Sequence, residues 1–526
     1  MPANTASPAV DDFMTTQSLE TNRPDNTEKA QQVVALVLDG SILFHDQSGE
    51  CYATYRQGNH LETWPITSKG FSDWLSYKAH HSLGFVPADA SMKTALTALR
   101  GIATHEGETH PVYLRCAPWR NGYIIDLCNE AWQVISVTPE GWDVLNESPI
   151  KFIRSRTAKP LPLPKPENLE LLWKYVNVLD ADKTLLLAYM LDSLRSNTPY
   201  PVLSFIGGQG TGKSFTHKVI RQLCDPNTVP LRAAPKSVED VFVSAGANHM
   251  ASFENMSSLS SGMQDALCTL STGGGFAKRK LYSDSDETVI EVKRPVIING
   301  ISDSVTRPDL IDRMIRIDTP RLGTIADEIE MHEGYERDRP AIFGALLNLF
   351  VDALRLLPEI QLTSTPRMIG YAKLGEAIHK ALGINHLFID DYQRNRTESM
   401  ARSLDASPAA MAVQEMMCNR KEWEGTVKAL KSALEEYHRQ DSEGWPRSIK
   451  GMGDVLRRMA PALRGVGINI EFLGRQRDGW HVRISSCDEK NGDRSNVHNV
   501  HTCTPREHVN VVNVDPNVES PLRYRV

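Results

Sequence analysis

The chain has 526 residues, enough for about three domains and at least one sizeable hydrophobic core. A formal net charge of −7 excludes a protein that coats nucleic acid with its whole surface, although it leaves room for a local basic channel or patch. With 41% hydrophobic residues and no uninterrupted apolar run near the roughly 20 residues of a bilayer span, no membrane segment is expected.

In chain order, the opening residues are polar and acidic and lack the basic start and apolar stretch of a secretion signal, so residues 1–30 are expected to be a disordered leader. Residues 31–157 mix short alternating stretches (112–116, 123–128, 132–137) with helical ones (71–83, 92–102), the pattern of an accessory α+β domain. Pro160, Pro162, Pro164 and Pro166 then remove a backbone donor at every second position, so 158–168 is expected to be an extended interdomain linker. Residues 169–330 carry the motifs of an α/β P-loop core, and a helical lid region is expected over 331–409. Residues 410–486 form a third unit, and 487–526, rich in Asn, Val, His and Asp, are expected to be a disordered tail. The eight cysteines (Cys51, Cys116, Cys128, Cys224, Cys268, Cys418, Cys487, Cys503) show no CxxC pair, which predicts free thiols, no structural zinc and a cytoplasmic location.

The segment GGQGTGKS (Gly207, Gly208, Gln209, Gly210, Thr211, Gly212, Lys213, Ser214) has the composition of a phosphate cradle. Its glycines let consecutive N–H groups point inward, Lys213 reaches the β and γ phosphates, and the Ser214 hydroxyl binds Mg²⁺. An apolar run at 202–206 suits a buried strand before the loop, and Phe215, Val219 and Leu223 mark one face of a helix after it. ATP and Mg²⁺ are therefore the expected cofactors. Hydrolysis also requires an acidic group at a neighbouring strand end and a polar residue near the γ phosphate. Glu254, in HMASFEN, is the candidate metal ligand or water-orienting base, and Asn299, in PVIIN, the candidate for positioning the lytic water. A solvated strand-end acid and a turn asparagine are the competing structural readings.

The order of P-loop, FEN, TGGGFAKRKLYSDSDE (272–287), PVIING and RPDLIDR (307–313) resembles the superfamily 3 helicases of the AAA+ class, particularly primase-helicase ATPases of phages, poxviruses and bacterial mobile elements. The resemblance is strong over about 165–330 and implies a ring, expected to be a hexamer, that uses ATP to act on DNA in replication, with a primase or other replication protein as a further partner. It implies that Lys278, Arg279 and Lys280 lie on a hairpin that grips single-stranded DNA in the central channel. Three consecutive cations can also pair with phosphates on their own physical terms, unless Asp284, Asp286 and Glu287 leave the hairpin merely charge-balanced. The resemblance further implies an arginine acting on the neighbouring subunit's nucleotide, with Arg307 and Arg313 as candidates and Arg367 as a second sensor.

Residues 444–484 read as helix, strand, hairpin and strand, the order of a winged helix, with eight basic residues against three acidic ones. Lys450, Arg457 and Arg458 would enter a duplex groove and Arg475 and Arg477 touch the backbone, unless the module docks protein instead. No primase-like carboxylate cluster is found in 31–157. The expected function is a replicative DNA helicase of a phage, plasmid or integrated element. The rivals are an AAA+ initiator that melts or loads DNA and a non-replicative ATPase switch.

Overall fold

The computed structural model describes residues 25–165, 168–196, 198–256, 258–279, 287–301, 305–323, 327–405, 407–418, 420–437 and 445–486. The chain divides into two compact units, Met1–Ser399 and Met400–Val526.

The centre of the first unit is a five-stranded sheet of β1 (Val202–Ile206), β2 (Arg232–Ala233), β3 (Ala251–Glu254), β4 (Val296–Gly300) and β5 (Met314–Asp318). The order is β2-β3-β4-β1-β5, and every pairing is parallel. The longer strands are nearly continuous apolar runs because helices cover both faces of a parallel sheet. Leu203, Phe205, Ile297, Ile315 and Ile317 share one core with Leu186, Val219, Leu223, Phe343 and Phe350. Burying each such side chain stabilises the fold by about 1.5–3 kcal/mol. The helix Glu328–Leu356, long and apolar enough to cross a membrane by length and composition, instead buries Phe343, Leu347 and Phe350 in this core.

The region 25–109 has its own apolar cluster, in which Val33, Leu75 and Leu99 lie under a sheet of Ser41–His45, Cys51–Gln57, His60–Pro65 and Glu108–Thr109. The capping box of Asp25 and Glu28 starts a helix at Asn26, so ordered structure begins inside the expected 1–30 leader. Residues 1–24 and the expected tail 487–526 lie outside the described residues.

The division differs from that expected at 158–168. The meander Cys116–Trp119, Gly122–Asp126, Val134–Thr138, Gly141–Leu145 adds Cys116, Tyr123, Ile125 and Val137 to the main core, and Tyr123 stacks on Phe350 at 5.6 Å. The proline-rich segment is a strap rather than a free linker. Its prolines give up their own donors, but Leu161 N–H donates to Leu127 O at 3.0 Å and Lys165 N–H to Pro340 O at 2.9 Å.

A buried ion cluster closes the same seam. Arg115 Nε donates to Asp225 Oδ1 at 3.0 Å, Arg221 Nη2 lies 3.1 Å from Asp225 Oδ2, and Met250 N–H donates to that oxygen at 2.9 Å. Burial alone would raise the Asp225 carboxyl, but the Arg221 and Arg115 guanidiniums outweigh it and hold it at about 2. Of the expected free thiols, Cys51, Cys116, Cys128, Cys224 and Cys268 are free, whereas Cys418 is disulfide-bonded.

In the second unit, helices Pro408–Cys418, Val427–Leu434 and Ile449–Gly465 accompany an antiparallel sheet with Gly479–Ser486 between Glu422–Thr426 and Ile468–Gln476. Met452, Leu456, Met459 and Leu463 recur at helical spacing on the buried face of Ile449–Gly465.

Asp225→Asn removes the charge that holds two buried guanidiniums, so the protein should lose about 3–5 kcal/mol of stability in urea unfolding. With a folded value near 2 and an ordinary value of 3.8, the Asp225 contribution is in full above about pH 4 and fades as pH falls towards 2. The variant's stability should therefore depend less steeply on pH in that window than the parent's.

Candidate functional site

The phosphate loop runs from β1 to the helix Lys213–Cys224. Gly210 (φ 76°) and Gly212 (φ 69°) take left-handed backbone conformations that turn the loop back on the helix, and a Cβ on Gly207 would collide with Thr319 Oγ1. Asn177 locks the loop from outside, its Nδ2 donating to Thr211 O at 2.8 Å and Pro320 O at 2.7 Å. Thr319 Oγ1 bonds Ile206 O at 3.1 Å and Thr211 Oγ1 at 2.9 Å. The first-turn N–H groups of the helix lack intrahelical acceptors and, with the helix dipole, form an anion site. Lys213 Nζ donates to Gly208 O at 2.9 Å, a bond that a phosphate can replace, and burial lowers its ammonium from the usual lysine range.

Register brings the other candidates level with the loop. Phe205 pairs with Asn299 and Ile206 with Gly300, while Phe253 pairs with Ile298, so Glu254, Asn299 and the start of the loop lie at one carboxyl edge of the sheet. This edge is where ligands bind in open parallel α/β sheets. Glu254 is half-buried at the end of β3, and Ser214 is half-buried in the first turn of the loop helix. An Mg²⁺-nucleotide fits this donor set of hydroxyl, carboxylate and converging amides.

Asn299 is nearly fully buried (1% exposed), and its amide is engaged. Its Oδ1 accepts from Asn255 N–H at 2.9 Å, and its Nδ2 faces His217 Nδ1 at 3.0 Å. His217 Nε2 faces Ser252 Oγ at 2.9 Å, and that hydroxyl donates to Pro230 O at 2.7 Å. Because Ser252 spends its only proton on a carbonyl, it must accept from His217, which fixes the ring as the Nε2–H tautomer with Nδ1 accepting from Asn299. Burial, reinforced by the Arg221 charge, pulls His217 down to about 3, so the ring is neutral at physiological pH. The chain of bonds thus runs in one direction from Asn255 to Pro230. It joins the loop helix, β3 and β4, and it steadies Asn255, held at φ 56° directly after Glu254. Sequence reasoning missed His217, Ser252, Asn177 and Thr319. The one available signal was a histidine four residues after Lys213 on the inward face of the loop helix.

The arginines separate by environment. Arg313 is buried (side chain 8% exposed), paired with Asp309 and donating to its carbonyl at 2.7 Å. The Arg307 side chain is 36% exposed and pairs with Asp265 at 2.9 Å. Arg367 is half-exposed and 3.7 Å from Asp309. Strands Gly274–Arg279 and Glu287–Val292 pair antiparallel, with Lys278 opposite Thr288 and Arg279 opposite Glu287; Lys280 lies outside the described residues. In the second unit Lys450, Arg457, Arg458, Arg475 and Arg477 are all exposed, and Arg457 lies over the Phe472 and Trp480 rings at 5.2 and 5.4 Å.

Residues 169–395 match the family model described as actinomycete integrative conjugative element replication protein, and residues 409–495 match the AICE RepA C-terminal domain. The chain is similar to replication proteins of actinomycete integrative conjugative elements. No curated protein matches it in sequence. Among solved structures, an SCCmec type IV Cch described as an active helicase aligns over 85% of this chain and 93% of its own, at 12% identity and a TM-score of 0.44. The apo NrS-1 C-terminal region aligns over 88% of this chain and 100% of its own, at 13% identity and a TM-score of 0.37.

His217→Ala breaks the bond chain without touching the phosphate loop. If this edge hydrolyses ATP with Glu254 directing the water, kcat should fall roughly 10- to 100-fold, as expected when such a group is misplaced, while nucleotide affinity measured by fluorescence titration stays within about threefold. Unchanged turnover would remove His217 from the catalytic support.

Proposed function

We propose that the protein is an ATP-dependent DNA helicase of the superfamily 3-like AAA+ type, working as a hexameric ring in the replication of an integrated mobile element. The observation that carries this reading is the shared carboxyl edge of loop, Glu254 and Asn299, with the basic strand pair entering the chain between β3 and β4. The two replication-protein matches support the biological setting.

In the proposed cycle the 207–214 amides and Lys213 hold the phosphates, and Ser214 and Glu254 serve Mg²⁺. Glu254 orients the lytic water, and Asn299 fixes the turn that carries Glu254. Bound Mg²⁺ supplies neutralisation of the charge that develops on the transferring phosphoryl group. Lys278, Arg279 and Lys280 contact the backbone of one DNA strand in the channel, a sequence-blind contact that weakens with salt. Lys450, Arg458, Arg475 and Arg477 of the winged-helix-like second unit would meet duplex phosphates. Of the two finger candidates, Arg307 is favoured. It pairs with Asp265 at the surface, whereas Arg313 is a buried guanidinium that would have to leave both the carboxylate and the carbonyl of Asp309.

Single-stranded DNA should stimulate ATP hydrolysis at least several-fold, a forked duplex should be unwound, and Lys213→Ala should abolish both. Glu substitutions at Lys278, Arg279 and Lys280 should spare basal hydrolysis and lose unwinding. Hydrolysis with intact forks would instead favour an initiator that melts or loads DNA, and hydrolysis indifferent to DNA would favour a switch.

Arg307→Ala should cut kcat by roughly 10³-fold with nucleotide binding retained, the scale of an arginine finger. Mixing Arg307→Ala with Lys213→Ala subunits should restore part of the turnover, because some interfaces then join an intact loop to an intact Arg307. Wild-type turnover in Arg307→Ala alone would remove that residue from the reaction.

A further inference from the structure

The helix Ile369–Leu382 ends at Gly383 (φ 69°), and the helix Phe388–Asp405 begins five residues later. This junction gathers three metal-ligating side chains. His379, in the last turn of the first helix, is 1% exposed. Its Nδ1 lies 3.1 Å from His386 O, and only a ring N–H can face a carbonyl, so the neutral ring carries its proton on Nδ1. In that neutral form the opposite nitrogen, Nε2, offers its lone pair as a metal ligand. It is buried without a hydrogen-bond partner, and Asp391 Oδ2 lies 3.7 Å away. Nε2 and the carboxylate oxygen can face each other only across a cation, either a proton on Nε2 or a metal ion. His386 brings its own Nε2 to 2.8 Å from the same oxygen, and the three ligand atoms all lie within 4.8 Å of one another.

We propose that His379, His386 and Asp391 form a binding site for a divalent cation of the zinc class. Two imidazoles and one carboxylate suit a borderline metal better than Mg²⁺ or Ca²⁺, which prefer all-oxygen sites. With ligands about 2.0–2.2 Å from the metal, tetrahedral geometry sets neighbouring ligand atoms about 3.3 Å apart, so small rotations of the two histidines close the site. The surroundings already have the form such sites need. The His386 carbonyl fixes the tautomer of His379, Arg394 Nη2 lies 3.7 Å from the other oxygen of Asp391, and the Phe388 ring walls His379 at 5.3 Å. The His386 side chain is 57% exposed, which gives the ion an entry route and leaves a fourth position to water. The absence of a cysteine-based site in the sequence does not bear on this donor set.

The bound ion would clip two helices whose second member is fastened to the nucleotide-binding sheet. Asn395 accepts from Arg316 N–H on β5 at 3.1 Å, and Arg394 donates to Ala181 O at 2.9 Å. The site is therefore a stabilising clip, independent of the Mg²⁺-nucleotide site and of the proposed helicase reading.

The test uses untagged full-length protein, stripped with chelator and free of nucleotide. Titration with Zn²⁺ should show about one tight site per chain and raise the thermal midpoint by several degrees, since an ion that binds the folded state alone stabilises it by mass action. Co²⁺ in the same site should give the strong visible absorption of tetrahedral coordination. His386→Asn alters an exposed side chain, and Asp391→Asn keeps the shape of the carboxylate. Each should keep the far-UV spectrum and ATP binding of the parent while losing both the Co²⁺ spectrum and the thermal shift. Absence of stoichiometric metal in the parent, or an unchanged Co²⁺ spectrum in both variants, would overturn the assignment.

Discussion

One neutral imidazole sets the geometry of the carboxyl edge of the parallel sheet. His217 is fully buried, and burial holds it near 3, so it offers a single donor and a single acceptor at physiological pH. Ser252, committed to Pro230 O, decides which ring nitrogen donates, and His217 in turn decides which way the Asn299 carboxamide faces. Asn299 Oδ1 is thereby left for the N–H of Asn255, the residue after Glu254. A buried polar network with every bond made is stiff, and one with a bond missing is costly. The position of the acidic group is thus coupled to the helix that starts at Lys213 through the bonds of His217, Asn299 and Asn255.

A second constraint acts at the back of the sheet. Asp225 lies just after the loop helix, and its charge is balanced by Arg221 from that helix and Arg115 from the amino-terminal meander. Arg115 also donates to Asp126 O and Lys159 O, so one guanidinium joins the meander, the proline strap and the end of the loop helix. Charges this deeply buried are tolerated only when paired. The meander is consequently a wall of the core around the parallel sheet, while residues 25–109 keep a separate apolar cluster.

How much of this was legible follows from how local each feature is. The phosphate loop is contiguous, and its glycines announce left-handed turns. The apolar runs at 202–206 and 295–299 appear as Val202–Ile206 and Val296–Gly300, and the helix after the loop runs from Lys213 to Cys224. The His217 bond to Asn299 spans 82 positions, and Arg115 meets Asp225 across 110. No periodicity records such pairings. The prolines at 160–166 were misleading for a physical reason. They do enforce an extended chain, but an extended chain can lie along a core as readily as bridge two, and the donors between the prolines decide which. His379, His386 and Asp391 escaped a search for metal ligands based on cysteine spacing, because their seven- and five-residue gaps become proximity only once the helix–turn–helix forms.

The second unit shows how charge counted along a sequence differs from charge available at a surface. The window 444–484 carries eight basic and three acidic residues, but it omits the strand Glu422–Thr426 that pairs with Gly479–Ser486. That strand brings Glu422 and Glu424 to 3.1 and 2.9 Å from Arg483, with Glu471 at 3.6 Å, so this arginine is surrounded by carboxylates. Arg457 is drawn over two aromatic rings and towards Asp454, and Arg464 donates to Asn469. The exposed cations of this window without a carboxylate partner described above are Arg447 and Lys450 at the start of the helix, Arg458 and Arg464 further along it, and Arg475 and Arg477 at the hairpin. The carboxylates around Arg483, and Asp454 beside Arg457, therefore lower the positive charge that this unit could present to a duplex.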